Sequence, residues 1–344
     1  SVWVSVPAIS SNTNFIVAYW GNPSLTNVAP FTTNGSTWAN YSAVFHLRES
    51  GLPYLDSTTL HTANSGTIPS LTSAGEIGNA EAFNGSSTFL APAGTINLGN
   101  SFSLSAWVNL SNSATSVQTI WANKPGGATA NGVALFVNTF QTTDGELHVE
   151  SGDGVNGARA DSISNAVPAN GWHHVFASVD RANGITTLYV DGINVTSTSG
   201  TRTNFANNTI FNLARYTNSN FYFNGRIDEA RIEPFRSGDW VNAAFLNVAS
   251  NSSFISYPTV SNPVGAPNFL ATPPSQSPQL LITSSGKNLH LNWSASDAQF
   301  KLFNSTNLKD WTPVTDFTIL PDGGVELPES SGPGTAVFFR LQSQ

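Results

Sequence analysis

The fold of this chain is decided by one stretch of sequence, Leu188-Tyr189-Val190-Asp191-Gly192-Ile193-Asn194-Val195. The residues on either side of the Asp-Gly pair are mostly β-branched, aromatic or aliphatic, and such residues fit a half-buried pleated strand. An Asp-Gly pair between two runs of this kind supplies the two positive φ angles of a type I′ turn. The stretch therefore predicts a tight antiparallel β-hairpin that turns at Asp191 and Gly192.

Short runs of the same kind occur on both sides of the predicted hairpin. They are residues 101–108 (Ser-Phe-Ser-Leu-Ser-Ala-Trp-Val), 171–175 (Gly-Trp-His-His-Val) and 225–232 (Gly-Arg-Ile-Asp-Glu-Ala-Arg-Ile). Alternating apolar runs between turn signals predict antiparallel strands. One short helix is predicted at residues 237–245, with Ser237 or Asp239 as its N-cap. The expected fold class is all-β, a sandwich of antiparallel sheets.

Composition limits the classes of partner and the compartment. Only 10% of the 344 residues are charged, the net charge is -8, and Lys and Arg do not cluster. A nucleic-acid partner needs a concentrated basic surface, so we expect none. The chain has no cysteine, which excludes disulfides and thiolate metal sites, and it has no apolar run long enough to span a bilayer. A surface built from Ser, Thr, Asn and Gly is typical of exported β-proteins, so we expect an extracellular or cell-surface location.

Taken in order, the predicted strands resemble those of laminin-G-like jelly rolls, which are concanavalin A-like sandwiches. Two further stretches carry the resemblance, residues 44–47 (Val-Phe-His-Leu) and residues 77–85 (Ile-Gly-Asn-Ala-Glu-Ala-Phe-Asn-Gly). The resemblance covers residues 44–257. It implies a two-sheet jelly roll that binds carbohydrate or another surface ligand.

The two flanks of this predicted domain differ in composition. Residues 1–43 resemble part of an uncharacterised bacterial surface module, and the strand predicted at residues 2–6 would have a free edge able to pair with another chain. Residues 258–278 contain six prolines among Ser, Thr and Asn and are expected to form an extended linker. Residues 279–344 resemble fibronectin-like modules, so a second, smaller β-sandwich is expected there.

One strand carries the best candidates for catalysis. In Glu146-Leu147-His148-Val149-Glu150 the two carboxylates and the imidazole alternate with apolar residues, so all three share one face of a strand. The pattern resembles the Glu-x-Asp-x-Glu strand of β-glucanases with the same fold, but His148 stands where those enzymes have Asp. Retaining hydrolysis needs the carboxyls about 5 Å apart, whereas Cα atoms four residues apart on a strand are separated by roughly 13 Å. We therefore interpret the face as a solvated surface and expect no enzyme activity.

The resemblance also implies a calcium site at one rim of the jelly roll. In laminin-G-like relatives an Asp after the first strand lies near the Asp of the last Gly-x-Ile-Asp stretch, and the matching positions are Asp56 and Asp228. Asn64 could add an amide or carbonyl oxygen, and oxygen ligands of these kinds are those that Ca²⁺ prefers. The alternative is that Asp228 caps a turn and pairs with Arg226 or Arg231.

A carbohydrate site is expected to combine aromatic rings that stack on sugars with amides that bind hydroxyls. The loop at residues 216–222 interleaves the two types, and its candidate ligand-binding residues are Tyr216, Asn218, Asn220, Phe221 and Tyr222. Trp121 and Phe140 are further candidates. Each of these rings, taken alone, would also suit a sandwich core.

Three functions follow from these patterns. The first is a non-enzymatic surface protein whose jelly roll binds carbohydrate or another surface ligand in adhesion. The second is a structural subunit of an extracellular fibre or sheath that self-associates through β-strand contacts. The third is a glucanase-like glycoside hydrolase that uses Glu146 and Glu150.

Overall fold

The computed structural model describes residues 3–6, 33–72, 74–111, 113–206, 208–218, 220–255, 280–285, 288–293, 300–306, 310–315, 317–319, 325–328 and 338–343. The chain divides into two compact units, Ser1–Val260 and Ser261–Gln344. The predicted linker at residues 258–278 lies outside the described residues. In the described ranges, no helix has both the length and the apolar character needed to cross a membrane.

The first unit consists mainly of strands. Its described elements are a 3-10 helix at Ser36–Trp38 and then β1 (Ala43–Phe45), β2 (Ala63–Thr67), β3 (Ser70–Thr72), β4 (Ala80–Asn84), β5 (Phe89–Pro92), β6 (Ile96–Asn97), β7 (Ser101–Leu110), β8 (Gln118–Ala122), β9 (Gly132–Val137), β10 (Leu147–Gly152), β11 (Gly157–Ser162), β12 (His173–Asp180), β13 (Ile185–Val190), β14 (Ile193–Asn194), β15 (Thr196–Thr198), β16 (Asn208–Thr209), β17 (Asn212–Leu213), β18 (Asn224–Pro234), α1 (Gly238–Ala249) and α2 (Asn251–Phe254). The predicted helix is confirmed, and Ser237 is its N-cap, since its side chain accepts a hydrogen bond from the backbone N–H of Trp240.

Antiparallel pairing joins these strands into two eight-stranded sheets. The first sheet has the order β14-β13-β12-β7-β18-β4-β3, and β1 pairs with β18 as well. The second sheet has the order β15-β11-β10-β9-β8-β17-β5-β2, and β6 and β16 form a separate pair. The predicted fold class, an all-β antiparallel jelly-roll sandwich, is confirmed.

The hairpin that decided the fold class forms as predicted. Val190 pairs with Ile193 across the turn between β13 and β14, and the two turn residues have φ angles of 52° and 78°. Glycine is needed at the second turn position for a further reason, because a Cβ on Gly192 would lie 3.1 Å from the Cα of Asn242 in α1. The helix therefore packs closely on the hairpin at this turn.

The hydrophobic core lies between the two sheets. It includes the large buried side chains of Phe45, Tyr54, Phe102, Trp121 and Phe211. The indole N–H of Trp121 donates to the backbone carbonyl of Ser105, 3.3 Å away, so its one polar atom is satisfied inside the core. The outer face of each sheet is the side that points away from this core.

The outer face of the first sheet is covered by α1. Phe176 and Tyr189 of the sheet form a buried cluster with Val241 of the helix, and Trp240 packs against it. The ring of Phe245, also on α1, stacks on Trp107 with 5.8 Å between centroids. The helix therefore buries apolar rings that a two-layer sandwich would otherwise expose to water.

A set of charged side chains on this covered face is paired. Arg231 binds Glu229 at 2.7 Å, and Glu229 also binds His46 at 2.8 Å. The guanidinium of Arg231 lies over the rings of Trp3 and Trp38, 4.6 and 5.2 Å from their centroids. These contacts satisfy buried charges that would otherwise destabilise the fold.

The prediction of a strand at residues 2–6 is wrong for residues 3–6, the part that the structure describes. Residues 3–6 are not in a strand. Trp3 lies instead against Trp38 and His46, with ring centroids 5.4 and 5.8 Å away. The segment is therefore held by ring contacts of Trp3 on the covered face of the first sheet, and not by pairing with a strand edge.

The second unit is smaller and is also built from β-strands. Its described strands are β19 (Leu280–Ser285), β20 (Asn288–Trp293), β21 (Phe300–Ser305), β22 (Thr312–Pro313), β23 (Thr318–Ile319), β24 (Val325–Pro328) and β25 (Phe338–Ser343). They form one sheet of order β19-β20-β24-β23 and one of order β22-β21-β25. Both sheets contribute to one buried cluster, formed by Leu291, Leu302, Val325 and Leu327.

Candidate functional site on the outer face of the second sheet

The outer face of the second sheet carries two adjacent rows of side chains that cross its strands. One row lies across β11, β10, β9 and β8 and consists of Asp161, His148, Phe136 and Thr119. The next row lies across the same strands and consists of Arg159, Glu150, Ala134 and Ala122. Leu147 and Val149 alternate with these positions and belong to the core. The alternation in residues 146–150 therefore has the predicted result, with His148 and Glu150 on one outer face.

Lys124 and Glu150 form an ion pair on this face. The Nζ of Lys124 donates to Oε1 of Glu150 at 2.7 Å and to the carbonyl oxygen of Ala128 at 3.4 Å. The Lys124 side chain is 0% exposed, and burial lowers its pKa against the opposing effect of Glu150. Because the buried ammonium depends on this carboxylate for its charge compensation, Glu150 is poorly suited to act as a free nucleophile.

His148 is held at one ring nitrogen only. Its Nδ1 lies 2.7 Å from Oδ1 of Asp161, while its buried Nε2 has no hydrogen-bond partner. Burial lowers the pKa of His148, and the contact with Asp161 opposes this effect. Burial acts to raise the pKa of Asp161, but hydrogen bonds from Thr198 and His148 and the nearby charge of Arg159 lower it overall. The arrangement favours a neutral ring whose proton is on Nδ1 and whose lone pair is on Nε2.

Two carboxylates lie close to this ring. One oxygen each of Asp144 and Glu146 and one nitrogen of His148 lie within 4.8 Å of one another, and among the described residues they are the one such group of His, Asp and Glu side chains. Burial acts to raise the pKa of Asp144, but hydrogen bonds from the Thr142 and Thr139 hydroxyls and from the backbone N–H of Glu146 lower it overall. Asp144 is therefore ionised at neutral pH.

An open depression lies beside Glu150 and Arg159. It has a volume of about 280 Å³ and is also lined by Ala128, Gly157 and Ala158. Gly157 faces Gly152 on the neighbouring strand, and a Cβ on Gly157 would lie 2.4 Å from the carbonyl oxygen of Ala128. The absence of side chains at these two glycines therefore lets the loop that contains Ala128 approach the sheet and form one wall of the depression.

Tyr216 and Phe221, from the predicted ligand-binding loop at residues 216–222, pack on this same face. Tyr216 is 3% exposed and packs in a cluster with Ala122, Ala134 and Phe136, against which Phe221 also packs. The two alanines leave the space that the tyrosine ring occupies. The structure thus brings together two candidates that are far apart in sequence, the strand with Glu150 and the loop with Tyr216.

Each aromatic residue that the sequence suggested for sugar binding has a definite environment. Tyr216 and Trp121 are buried, so their rings are not available to stack on a sugar, which corrects their interpretation as contact residues. Phe140 is 63% exposed, and its ring lies 6.1 Å from that of Phe221. Tyr222 is partly exposed and lies near Phe89, while the amides Asn218 and Asn220 are exposed on the loop.

The residues expected to bind calcium have other roles in the structure. The carboxylate of Asp56 accepts hydrogen bonds from the backbone N–H groups of Val44, Thr58, Leu60 and His61 and from the Thr58 hydroxyl. Asp228 accepts from the backbone N–H of Ile77, and burial raises its pKa to about 7. Asn64 is exposed on β2 and donates to the carbonyl of Thr62 at 3.4 Å. Asp56 is thus used to organise its own loop, and calcium binding by these three residues stays a prediction.

Sequence reasoning missed four polar residues of this face, namely Lys124, Asp144, Arg159 and Asp161. A signal for two of them exists, since Arg159 and Asp161 alternate with Ala in residues 157–162 just as His148 and Glu150 alternate with apolar residues. Their pairing partners depend on strand register, which that alternation does not specify.

Comparison with known proteins gives one family match. Residues 83–242 match the sequence model of a laminin-G-type family described as the concanavalin A-like lectin/glucanases superfamily. This supports the laminin-G-like jelly roll in that part of the chain. No curated protein sequence matches the chain.

Several solved structures are similar to part of this chain. Domain 4 of AbnA, a GH43 extracellular arabinanase from Geobacillus stearothermophilus solved with arabinotriose, is 24% identical, with a TM-score of 0.44 over 59% of this chain and 97% of that one. The binding domain of Paraclostridial Mosquitocidal Protein 1 is 14% identical, with a TM-score of 0.44 over 60% of this chain and 52% of that one. The CBM40 of the Ruminococcus gnavus IT-sialidase, bound to alpha2,3 sialyllactose, is 15% identical, with a TM-score of 0.35 over 42% and 83%.

Proposed function

We propose that this chain is an extracellular carbohydrate-binding protein and that an oligosaccharide binds along the outer face of the second sheet. The family match at residues 83–242, to a superfamily of lectins and glucanases, supports binding of carbohydrate in general. The observation that carries the location is the open depression beside Glu150 and Arg159 on a face that also has exposed aromatic and amide groups.

The chemistry of this face suits sugar hydroxyls. The Arg159 side chain is 43% exposed and is held by Asp161, so its remaining N–H groups can donate to a ligand without a large cost in side-chain ordering. At the other end of β10, Phe140 and Phe221 offer ring faces and edges that can contact the apolar side of a sugar ring. From residue 146 to residue 152 the strand covers roughly 20 Å, which suits a ligand longer than one sugar.

The proposed activity is binding without hydrolysis, in an adhesive role at the cell surface. Glu150 is engaged by the buried ammonium of Lys124, and His148 stands between the two glutamates with its Nδ1 against Asp161. Neither arrangement resembles a free acid and a free nucleophile on either side of a glycosidic bond. The low fraction of charged residues, 10%, supports the extracellular location, because a surface built from Ser, Thr, Asn and Gly is typical of exported β-proteins.

Glycan-array screening of the full chain, followed by calorimetry on the best ligand, tests the location of the site. We expect Arg159→Ala to weaken binding about tenfold, which corresponds to the loss of a charge-assisted hydrogen bond. Phe140→Ala should weaken it by a smaller factor. The matched controls are Arg48→Ala and Phe235→Ala, which replace an exposed arginine and an exposed phenylalanine elsewhere. An array without hits, or equal losses in the controls, would remove the proposal.

The assay for hydrolysis uses the same glycans. We expect no release of reducing sugar from any of them by the wild-type chain. Release that disappears in Glu146→Gln would instead establish the glucanase-like alternative.

A further inference from the structure

We propose that Asp144, Glu146 and His148 form a binding site for a divalent transition-metal ion of the Zn²⁺ type. This inference does not depend on the sugar-binding proposal, because it uses a different group of side chains at the start of β10. It is also separate from the calcium site expected at Asp56, Asn64 and Asp228.

The imidazole of His148 provides the observation that points to a ligand. Its side chain is 0% exposed, its Nε2 has no partner, and this atom lies 4.0 Å from Oε2 of Glu146, too far for a hydrogen bond. A buried, unpaired nitrogen costs free energy unless something binds it. A metal ion bound between Nε2 and the two carboxylates would satisfy it.

Asp161 orients the ring for this purpose. The short contact between its Oδ1 and the Nδ1 of His148, 2.7 Å, places the proton on Nδ1 and the lone pair on Nε2. Metal-bound histidines in proteins characteristically donate their other nitrogen to a carboxylate in this way, which fixes the tautomer and raises the basicity of the ligand nitrogen. Asp161 thus acts as a positioning group for the His148 ring.

Asp144 is also prepared as a ligand. Its Oδ2 accepts from the hydroxyls of Thr139 and Thr142 at 2.9 and 2.6 Å, and its Oδ1 accepts from the N–H of Glu146 at 3.0 Å. These bonds, with a further one to Oδ2 from the backbone N–H of Thr139 at 3.3 Å, fix the carboxylate next to His148. Oδ1, which accepts one hydrogen bond, retains a lone pair for a metal. The Glu146 side chain is 27% exposed and can rotate to close the remaining separation.

The ligand set selects the type of ion. Zn²⁺ binds imidazole nitrogen and carboxylate oxygen at about 2.0 to 2.2 Å, whereas Ca²⁺ and Mg²⁺ bind oxygen. A tetrahedral ion with three protein ligands has one position left for water or for an oxygen of a bound molecule. We therefore expect Zn²⁺ to bind in preference to Ca²⁺.

The test is titration of the untagged, chelator-treated full chain with Zn²⁺, followed by calorimetry and by thermal unfolding. We expect one equivalent to bind and to raise the melting temperature. Glu146→Gln changes a partly exposed side chain, so it should fold normally, and we expect it to weaken Zn²⁺ binding at least tenfold. Asp161→Asn should weaken binding by about 10- to 100-fold, as for other partners of metal-bound histidines.

His61→Gln is the matched control, because this imidazole lies outside the cluster and its Nδ1 contacts only the carbonyl of Ala93. We expect it to leave the Zn²⁺ affinity unchanged. His148→Gln should abolish binding, and Co²⁺ substituted for Zn²⁺ should lose its visible absorption in the same variant. The proposal is overturned if the wild-type chain binds no stoichiometric Zn²⁺, or if Glu146→Gln binds it as tightly as the wild type.

Discussion

The outer faces of the two sheets contain similar side chains but differ in how much of each face the rest of the chain covers. On the first sheet, α1 and Trp3 cover the face, and the side chains of Glu229 and Arg231 are 2% and 12% exposed. On the second sheet, Glu150 and Arg159 border an open depression. The strands of both faces supply acid–base pairs, so the difference lies in what the rest of the chain places over them. The pairs on the covered face stabilise the fold, whereas Arg159, which is 43% exposed beside the depression, is available to a ligand.

Removing a charge from the covered face should have the largest effect on stability. In Arg231→Ala, buried Glu229 keeps His46 as a partner but loses the arginine, and the rings of Trp3 and Trp38 lose their contact with the guanidinium. Breaking a buried pair from one side costs about 3 to 5 kcal/mol. Urea unfolding followed by tryptophan fluorescence measures the loss. A loss below about 1 kcal/mol would show that the two faces do not differ in this respect.

The two sheets should also respond to pH in opposite ways. Burial raises the pKa of Glu81 on the first sheet to about 8 and that of Asp228 to about 7. The folded protein then keeps protons that the unfolded chain has released, so its stability falls as pH rises through this range. Burial lowers the pKa of His174 to about 3, and the charge of Arg231 adds to this effect. Below about pH 6.5 the contribution of His174 to stability therefore rises with pH and opposes that of the carboxyls. Above this pH it is constant.

The effect of the two carboxyls on stability can be measured without a contribution from His174 between pH 6.5 and 8. There we expect the free energy of unfolding to fall with rising pH, by at most about 1.4 kcal/mol per pH unit for each group. Glu81→Gln should flatten the slope. On the second sheet the pKa values of Asp144 and Asp161 are lowered, so their contribution is lost only as pH falls below about 4. Chemical denaturation at a series of pH values separates the contribution of the first sheet from that of the second. An unchanged slope in Glu81→Gln would contradict the raised pKa of Glu81 as its cause.

The smallest effect on stability is expected on the open face. Arg159→Ala removes an arginine that is 43% exposed and pairs with Asp161, and exposed pairs contribute less than about 1 kcal/mol. The same substitution is expected to weaken glycan binding about tenfold. Urea unfolding and calorimetry on one preparation compare the two quantities. A large loss of stability would place Arg159 with the structural pairs of the first sheet.

Much of the fold could be predicted because its determinants are local. The Asp191–Gly192 turn and the strand at residues 101–108 depend on positive φ angles and on two-residue alternation, and both formed as expected. His46, next to the strand residues 43–45, is partly buried, and its Nδ1 lies 2.8 Å from Oε1 of Glu229. His173 and His174 point to opposite faces, as adjacent strand residues must, with His173 bound to Asp191 and His174 buried beside Trp107.

The candidate site was less predictable, for reasons that are also physical. The alternation in residues 146–150 placed His148 and Glu150 on one face, but it did not show that Lys124 and Asp161 would occupy their hydrogen-bonding groups. The composition of residues 216–222 suggested an exposed loop. Tyr216 is buried because the small side chains of Ala122 on β8 and Ala134 on β9 leave space for its ring.

The sequence by itself determined the all-β class, the hairpin turn and the face on which each strand residue lies, since these follow from interactions between residues close in the chain. Only the tertiary structure decided which outer face is covered and which charges are paired. Those outcomes depend on strand register and on segments far apart in sequence, such as α1 over β12 and the loop at Ala128 over the paired glycines. Contacts of this kind are set by the packing of the whole unit, and a local pattern carries no information about them.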